Sequence, residues 1–120
     1  MVNILVIDDE RPILDLIQLA LTTAGFEVEI ASNGQEGIQK FEDGQFDLVI
    51  TDMQMPGIDG RGVVKHIRNS AKPDTPTIGW SGTPWLFENS ELDSLLKKPF
   101  SLKDLFNSIQ DLSPKAFAIL

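Results

Sequence analysis

The sequence predicts a doubly wound α/β domain, in which helices cover both faces of a five-stranded parallel sheet with strand order 2-1-3-4-5. The first observation is a nearly continuous apolar and β-branched run at 2–7, which is typical of a strand buried on both faces. The second is that four further strand-like segments alternate with stretches of helical periodicity. Right-handed crossovers between parallel strands then leave few topologies, and this strand order is the simplest of them.

The elements follow one another without a linker or a low-complexity segment. Strands are predicted at 2–7, 26–30, 47–51, 77–80 and 95–97. The starts of helices are indicated by Pro12 and by three capping residues, Asn33, Asp59 and Ser101. We therefore expect a single domain over residues 1–120, with its core at 2–112 and with 113–120 as a tail or the start of a linker.

Charge and composition exclude several kinds of function. Eighteen acidic and ten basic residues give a net charge of -8, which disfavours direct binding to nucleic acid or to an anionic membrane. The absence of cysteine excludes disulfides, thiolate metal sites and cysteine nucleophiles. No segment approaches the ~20 apolar residues of a membrane span, and the opening apolar run is unlike a secretory signal. We expect a cytoplasmic protein whose partners are proteins or small cations.

Acidic residues follow two strands that are neighbours in the predicted sheet. Asp8 and Asp9 come directly after the first strand, and Asp52 comes directly after the third. Ligands of open parallel sheets bind at the carboxyl ends of the strands, where the strand order reverses, and this point lies between strands one and three. Two carboxylates about 4 Å apart repel each other by roughly 4 kcal/mol at an effective dielectric constant near 20. A cation is therefore expected among them, and the oxygen ligands suit Mg²⁺.

The remaining strand ends supply a hydroxyl and a positive charge. Ser81 ends the fourth strand, and Gly82 after it leaves room for a ligand; Lys98 follows the fifth strand. Taken singly, such residues are usually a turn residue and a surface charge. Beside a metal and a carboxylate, however, an ammonium group can neutralise phosphoryl oxygens while the carboxylate attacks. The combination predicts phosphoryl transfer to an aspartate.

The sequence strongly resembles the receiver domains of bacterial response regulators, which have a flavodoxin-like fold. The resemblance covers residues 2 to about 112. It is carried by ILVIDDE at 4–10, by DLVITDMQMPGIDG at 47–60 and by KPF at 98–100.

This resemblance implies a set of roles. Asp52 would be the phosphoacceptor, and Asp8, Asp9 and Asp52 would bind Mg²⁺ with the backbone carbonyl of Gln54. Ser81 would be the switch hydroxyl, and Lys98, joined to Pro99 by a cis peptide bond, would be the cationic partner of the phosphoryl group. The donor would be a histidine kinase or a histidine phosphotransfer protein, and a further protein would receive the signal. Such a domain catalyses only its own phosphorylation and dephosphorylation.

The chain departs from the usual pattern in the region that transmits the signal. Leu95 stands where relatives carry an aromatic residue, and only sixteen residues separate Ser81 from Lys98. We therefore expect the fourth helix, within 84–92, to be short or irregular. Trp80, Trp85 and Phe87 cluster here, either as core residues that fill the space or as a patch for a partner.

One surface is expected to meet the phosphodonor. The apolar face of the first helix is predicted to comprise Ile13, Leu16, Ile17, Ala20, Leu21 and Ala24. This leaves Leu14 on the margin of the face and Leu19 outside it. We expect Leu14, Asp15 and Gln18 to contribute to the contact with a histidine-bearing partner.

Three other functions are conceivable for a domain of this kind. An aspartyl-nucleophile phosphatase commonly needs a second acid two residues after the nucleophile, and Gln54 occupies that position. A flavin-binding domain would need a phosphate-binding first loop, and Asp8, Asp9 and Glu10 would repel the phosphate. A docking module that works without phosphorylation stays open, because the region of the fourth helix is altered.

Overall fold

The computed structural model describes residues 2–87 and 91–112. Its elements, in chain order, are β1 (Asn3–Ile7), α1 (Arg11–Thr23), β2 (Glu27–Ala31), α2 (Gly34–Asp43), β3 (Leu48–Asp52), α3 (Gly60–Arg68), β4 (Thr77–Ser81), a 3₁₀ turn (Pro84–Phe87), β5 (Ser94–Lys97) and α4 (Leu102–Leu112). The strands pair in parallel in the order β2-β1-β3-β4-β5. The predicted flavodoxin-like topology is confirmed, and the predicted tail at 113–120 lies outside the described residues.

Each face of the sheet carries its own core. Side chains of β1, β3 and β4 alternate between the two faces, so that Ile4 and Val6 pack with α1 and α4, whereas Leu5 and Ile7 pack with α2 and α3. The central strands β3 and β4 are buried along their whole length, as expected for strands covered on both sides. Within the described chain, no helix has the length and apolar character to cross a membrane.

The buried face of α1 differs from the predicted one. Its fully buried residues are Leu14, Ile17 and Leu21, whereas Leu16 is 54% exposed. Leu14 therefore belongs to the core, and its predicted place in a docking surface is wrong. Apolar residues occupy two overlapping stripes of this helix, so the periodicity alone did not fix which stripe faces the sheet. Asp15 is exposed, as expected.

The predicted caps are present and fix the starts of three helices. The Asn33 side chain accepts a hydrogen bond from the backbone N–H of Glu36 at 2.7 Å, and the Asp59 carboxylate accepts one from Gly62 at 3.1 Å. At α4, the Ser101 hydroxyl oxygen accepts from the N–H of Asp104. The Asp104 carboxylate in turn accepts from the N–H of Ser101, which completes a reciprocal capping box.

The loop from β3 to α3 lies directly against the end of β3. Gly57 has φ +75°, a conformation that side chains disfavour, and Asp59 then caps α3. A Cβ at Gly60 would lie 2.5 Å from the carbonyl oxygen of Asp52, so only glycine permits this approach. The loop therefore packs the start of α3 against the backbone of Asp52, which belongs to the site described below.

The connection between β4 and β5 is short, as the sixteen-residue spacing predicted. In the described residues it contains the four-residue 3₁₀ turn, and the side chains of Met53 and Leu92 lie against Gly79 on this face of the sheet. The predicted range 84–92 also includes residues 88–90, which lie outside the described residues. β5 is only partly buried, and its Leu95 is half-buried.

Arg68, at the end of α3, holds the start of β5 in place. Its guanidinium donates hydrogen bonds of 2.7–3.2 Å to the carbonyl oxygens of Pro73, Thr75 and Glu91, the hydroxyl of Thr77 and the carboxylate of Asp93. The same Asp93 oxygen accepts from the backbone N–H of Thr77 at 2.8 Å, so the side chain bridges the starts of β4 and β5. One planar side chain thus ties three elements together.

Candidate functional site

Four carboxylates meet at the carboxyl ends of β1 and β3. One oxygen from each of Asp8, Asp9, Glu10 and Asp52 lies within 4.8 Å of the others. Asp8 is fully buried and Asp52 is 3% exposed, whereas Asp9 and Glu10 are exposed. The structure therefore brings together the three acids predicted from the strand ends. It adds Glu10, which was not predicted to belong to the metal site.

A single lysine contacts three of these carboxylates. The Lys98 Nζ lies 3.3 Å from Asp52 Oδ2, 3.7 Å from Asp8 Oδ2 and 3.8 Å from Glu10 Oε1. The Lys98–Pro99 peptide bond is cis, as expected. Because, in the described part of the chain, one ammonium contacts three of these four carboxylates, the cluster keeps an excess of negative charge. A hard divalent cation with oxygen ligands suits such a donor set.

The protonation of Asp52 is unusual for an aspartate. Its pKa is raised to about 6, chiefly because burial removes water from the charged form, and the charge of Asp8 raises it further. The backbone N–H of Gln54, which donates to Asp52 Oδ1 at 3.1 Å, and the Lys98 ammonium both lower the pKa without cancelling the effect of burial. Perturbed groups of this kind are common at functional sites.

Ser81 lies in a small polar network at the end of β4. Its side chain is buried, and its Oγ donates to the side-chain oxygen of Gln54 at 3.2 Å. The Thr83 hydroxyl donates to the same Gln54 oxygen at 3.1 Å, and the Thr83 N–H donates to Ser81 Oγ at 2.9 Å. Gln54 and Thr83 therefore hold the serine hydroxyl. Thr83 could not be predicted from the sequence, because a threonine two residues beyond a strand gives no signal of its own.

Trp80 of β4 contacts the acid cluster through its indole ring. Its indole Nε1–H donates a buried hydrogen bond of 2.8 Å to Asp8 Oδ2, and its ring stacks on Phe100 with centroids 5.0 Å apart. Trp80 and Phe87 are buried, as the core interpretation predicts, but Trp85 is 60% exposed. The polar contact of Trp80 had no sequence signal, because a tryptophan within a buried strand is usually a packing residue.

Comparison with known proteins identifies the family. A family model described as the response regulator receiver domain matches residues 4–110. The chain belongs to this family. As a receiver domain of two-component signalling, it is not a conventional enzyme.

Several curated relatives of this receiver domain are transcriptional regulators by name. The transcriptional regulatory protein TrcR of Mycobacterium tuberculosis is 31% identical over 116 residues, which are 92% of this chain and 45% of that protein. YrkP of Bacillus subtilis, named an uncharacterized transcriptional regulatory protein, is 36% identical over 108 residues, or 86% of this chain and 46% of that protein. The chain thus spans about half the length of the curated relatives it matches.

Solved receiver structures match the whole fold. The response regulator TrrA of Thermotoga maritima, solved in complex with Mg²⁺-BeF, is 36% identical with a TM-score of 0.85, and the match covers 93% of this chain and 99% of that one. The chemotaxis protein CheY4 of Vibrio cholerae is 28% identical with a TM-score of 0.84 and covers 93% and 98%. The receiver fold therefore accounts for nearly all of the chain.

Proposed function

We propose that this receiver domain accepts a phosphoryl group on Asp52 and thereby changes its interactions with other proteins. The observation that carries the proposal is the position of Asp52 at the carboxyl end of β3, within an acid cluster and with the Lys98 ammonium 3.3 Å from its Oδ2. The side chains of Asp52 and Lys98 are 4% and 22% exposed, so little water screens the attraction between their charges.

The chemistry is a direct transfer from donor to carboxylate. An ionised oxygen of Asp52 forms a bond to phosphorus while the bond between phosphorus and the donor breaks, and the donor leaves with the electron pair of that bond. For a phosphohistidine donor the leaving group is the imidazole nitrogen. Lys98 compensates the charge of the phosphoryl oxygens, and the Ser81 hydroxyl, once released from Gln54, donates to one of them.

The residues present fit a resident Mg²⁺. Asp8, Asp9 and Asp52 would hold it together with the backbone carbonyl of Gln54, and water would complete its shell. When bound, Mg²⁺ supplies positive charge that neutralises both the carboxylates and the phosphoryl oxygens. The complex of the relative TrrA with Mg²⁺-BeF supports this assignment.

The partners are proposed by class. The donor is a histidine kinase or a histidine phosphotransfer protein, and a further protein responds to the phosphorylated form. Leu16 and Leu19 are exposed beside Asp15 on α1, the helix that follows the acid cluster, and they offer an apolar surface to the donor in place of the buried Leu14. We propose that residues 1–120 act as one domain in this exchange.

Asp52→Asn tests the acceptor. Incubation of the wild-type chain with Mg²⁺ and acetyl phosphate should add one phosphoryl group, because the site itself supplies the catalysis. The Asn variant should gain none, since an amide lacks the nucleophilic oxygen. Intact-mass measurement detects the adduct, and Asp74→Asn, a change at an exposed loop residue, should leave it unaltered. An adduct that persists in the Asp52 variant would rule out this acceptor.

A second prediction concerns Mg²⁺. Binding should raise the free energy of unfolding by about 1.4 kcal/mol at ten times the dissociation constant, because the ion binds the folded site and relieves repulsion among its acids. Asp9→Ala should weaken this effect, since it removes one proposed ligand. Thermal unfolding at increasing Mg²⁺ concentration measures both. A melting temperature that does not respond to millimolar Mg²⁺ would argue against the metal site.

A further inference from the structure

Asp8 needs hydrogen-bond donors because it is a fully buried carboxylate. Its Oδ1 accepts from the backbone N–H of Glu10 at 2.8 Å, and its Oδ2 accepts from the indole Nε1–H of Trp80 at 2.8 Å. The Lys98 Nζ is 3.7 Å from Oδ2, which is beyond hydrogen-bond distance. Among these contacts, the direct hydrogen bonds to Asp8 therefore come from the side chain of Trp80 and the backbone of Glu10.

The position of Trp80 is fixed by its strand, by Phe100 and by the core around it. It lies in β4 directly opposite Asp52 of β3, and its ring stacks on Phe100 at an interplanar angle of 24°. The ring is fully buried in the core that also contains Leu105 and Ile109 of α4. An indole has one polar hydrogen, so this packing aims its single donor at Asp8.

The distances show how the single ammonium is shared. Lys98 Nζ lies 3.3 Å from Asp52 Oδ2 and 3.7 Å from Asp8 Oδ2, so it is closer to the acid that carries the proposed chemistry. Without the indole donor, Asp8 Oδ2 would be a buried anionic oxygen with Lys98 as the nearest positive charge. The two distances, 3.7 and 3.3 Å, differ by only 0.4 Å, so a small displacement of the ammonium would make Asp8 its nearer partner.

We propose that Trp80 is a positioning residue of the acid site: its indole N–H holds the Asp8 carboxylate and so leaves the Lys98 ammonium to Asp52. The inference rests on the proposed phosphoacceptor function for its consequence, because the benefit is a lysine placed to meet the phosphoryl group. It also gives a function to a side chain that packing alone would explain only in part.

The hydrogen bond can be tested in the metal-free protein by the indole N–H signals in a ¹H–¹⁵N spectrum. The chain has two tryptophans, so Trp85→Phe leaves one signal and assigns it to Trp80. Asp8→Asn should move this signal upfield, because a neutral amide oxygen is a weaker acceptor than a carboxylate. Added Mg²⁺ should also shift it in the wild-type site. A Trp80 signal that ignores both changes would overturn the proposal, and this test needs no substitution at Trp80.

The effect on Lys98 is tested by Trp80→Phe, which keeps an aromatic ring but removes the donor. Phosphorylation by acetyl phosphate should slow by about tenfold, the size expected for a displaced charge-assisted contact, while Trp85→Phe should leave the rate unchanged. In a Lys98→Met background, Trp80→Phe should change the rate by less than about twofold, because its effect passes through Lys98.

The outcomes separate the two proposals. Equal slowing by Trp80→Phe with and without Lys98 would indicate a merely structural role and overturn the inference, as would an unchanged rate in the single variant. Circular dichroism and urea unfolding confirm that each variant is folded before its rate is compared. If the wild-type chain takes no phosphoryl group at all, the proposed function fails, whereas the indole signals still decide whether Trp80 holds Asp8.

Discussion

Arg68→Met is expected to lower the free energy of unfolding by about 3 kcal/mol, a loss typical of breaking a partly buried charged network. The Arg68 side chain is only 16% exposed, and its guanidinium donates to acceptors in the α3–β4 loop, in β4 and before β5. Methionine would fill much of the volume but would leave the Asp93 carboxylate without its cation. Urea unfolding followed by circular dichroism measures the difference.

Two variants test the explanation for Arg68. Arg61→Met removes an arginine that is 61% exposed, forms a long ion pair with Asp59 and lies over the Phe87 ring, so it should cost about 1 kcal/mol or less. Arg68→Lys keeps the charge but not the planar fork, so it should recover less than half of the loss. Equal losses for Arg61→Met and Arg68→Met would contradict the bridging role.

Asp52→Asn is expected to stabilise the metal-free chain at neutral pH by on the order of 2 to 3 kcal/mol. The pKa of Asp52 is about 6 in the folded chain against 3.8 as the ordinary value, so the folded state binds more protons between these two values. The contribution of Asp52 to wild-type stability should therefore fall as the pH rises from about 4 to about 6. The neutral amide avoids the cost of burying the ionised carboxylate.

The pH dependence identifies the source of this gain. The difference between variant and wild type should be largest above pH 6 and should shrink as the pH falls towards 3.8, below which the carboxyl group is neutral in both states. Urea unfolding in EDTA at several pH values measures it, with Asp74→Asn as an exposed control. A gain of equal size at pH 4 and pH 7.5 would show that desolvation of the charge is not its cause.

The backbone-determined part of the site could be predicted from the sequence. Asp8, Asp9 and Asp52 are close together because parallel strands end at one edge of the sheet, and the alternation of strands and helices is enough to place those ends. Lys98 follows by the same reasoning from the fifth strand. The short β4–β5 connection was also predictable, since the spacing leaves no room for a long helix.

The parts that depend on side-chain direction could not be predicted. Leu14 is buried in place of Leu16 because the helix is rotated about its axis relative to the expected face, and both residues are leucines. The hydrogen bond from the indole of Trp80 to Asp8 joins residues that are 72 positions apart in the chain. The guanidinium of Arg68 likewise donates to Glu91 and Asp93, whose proximity to α3 no sequence periodicity predicts.

The loop between β3 and α3 constrains which residues can stand at several of its positions. Within 53–60, the turn at Gly57, the cap at Asp59 and the close approach at Gly60 are requirements of shape, and they are independent of the charge on Asp52. A descendant that exchanged Asp52 for an uncharged residue of similar size would keep every one of these requirements and would keep the fold. The shape of the loop and the proposed phosphorylation of Asp52 therefore place separate requirements on the sequence.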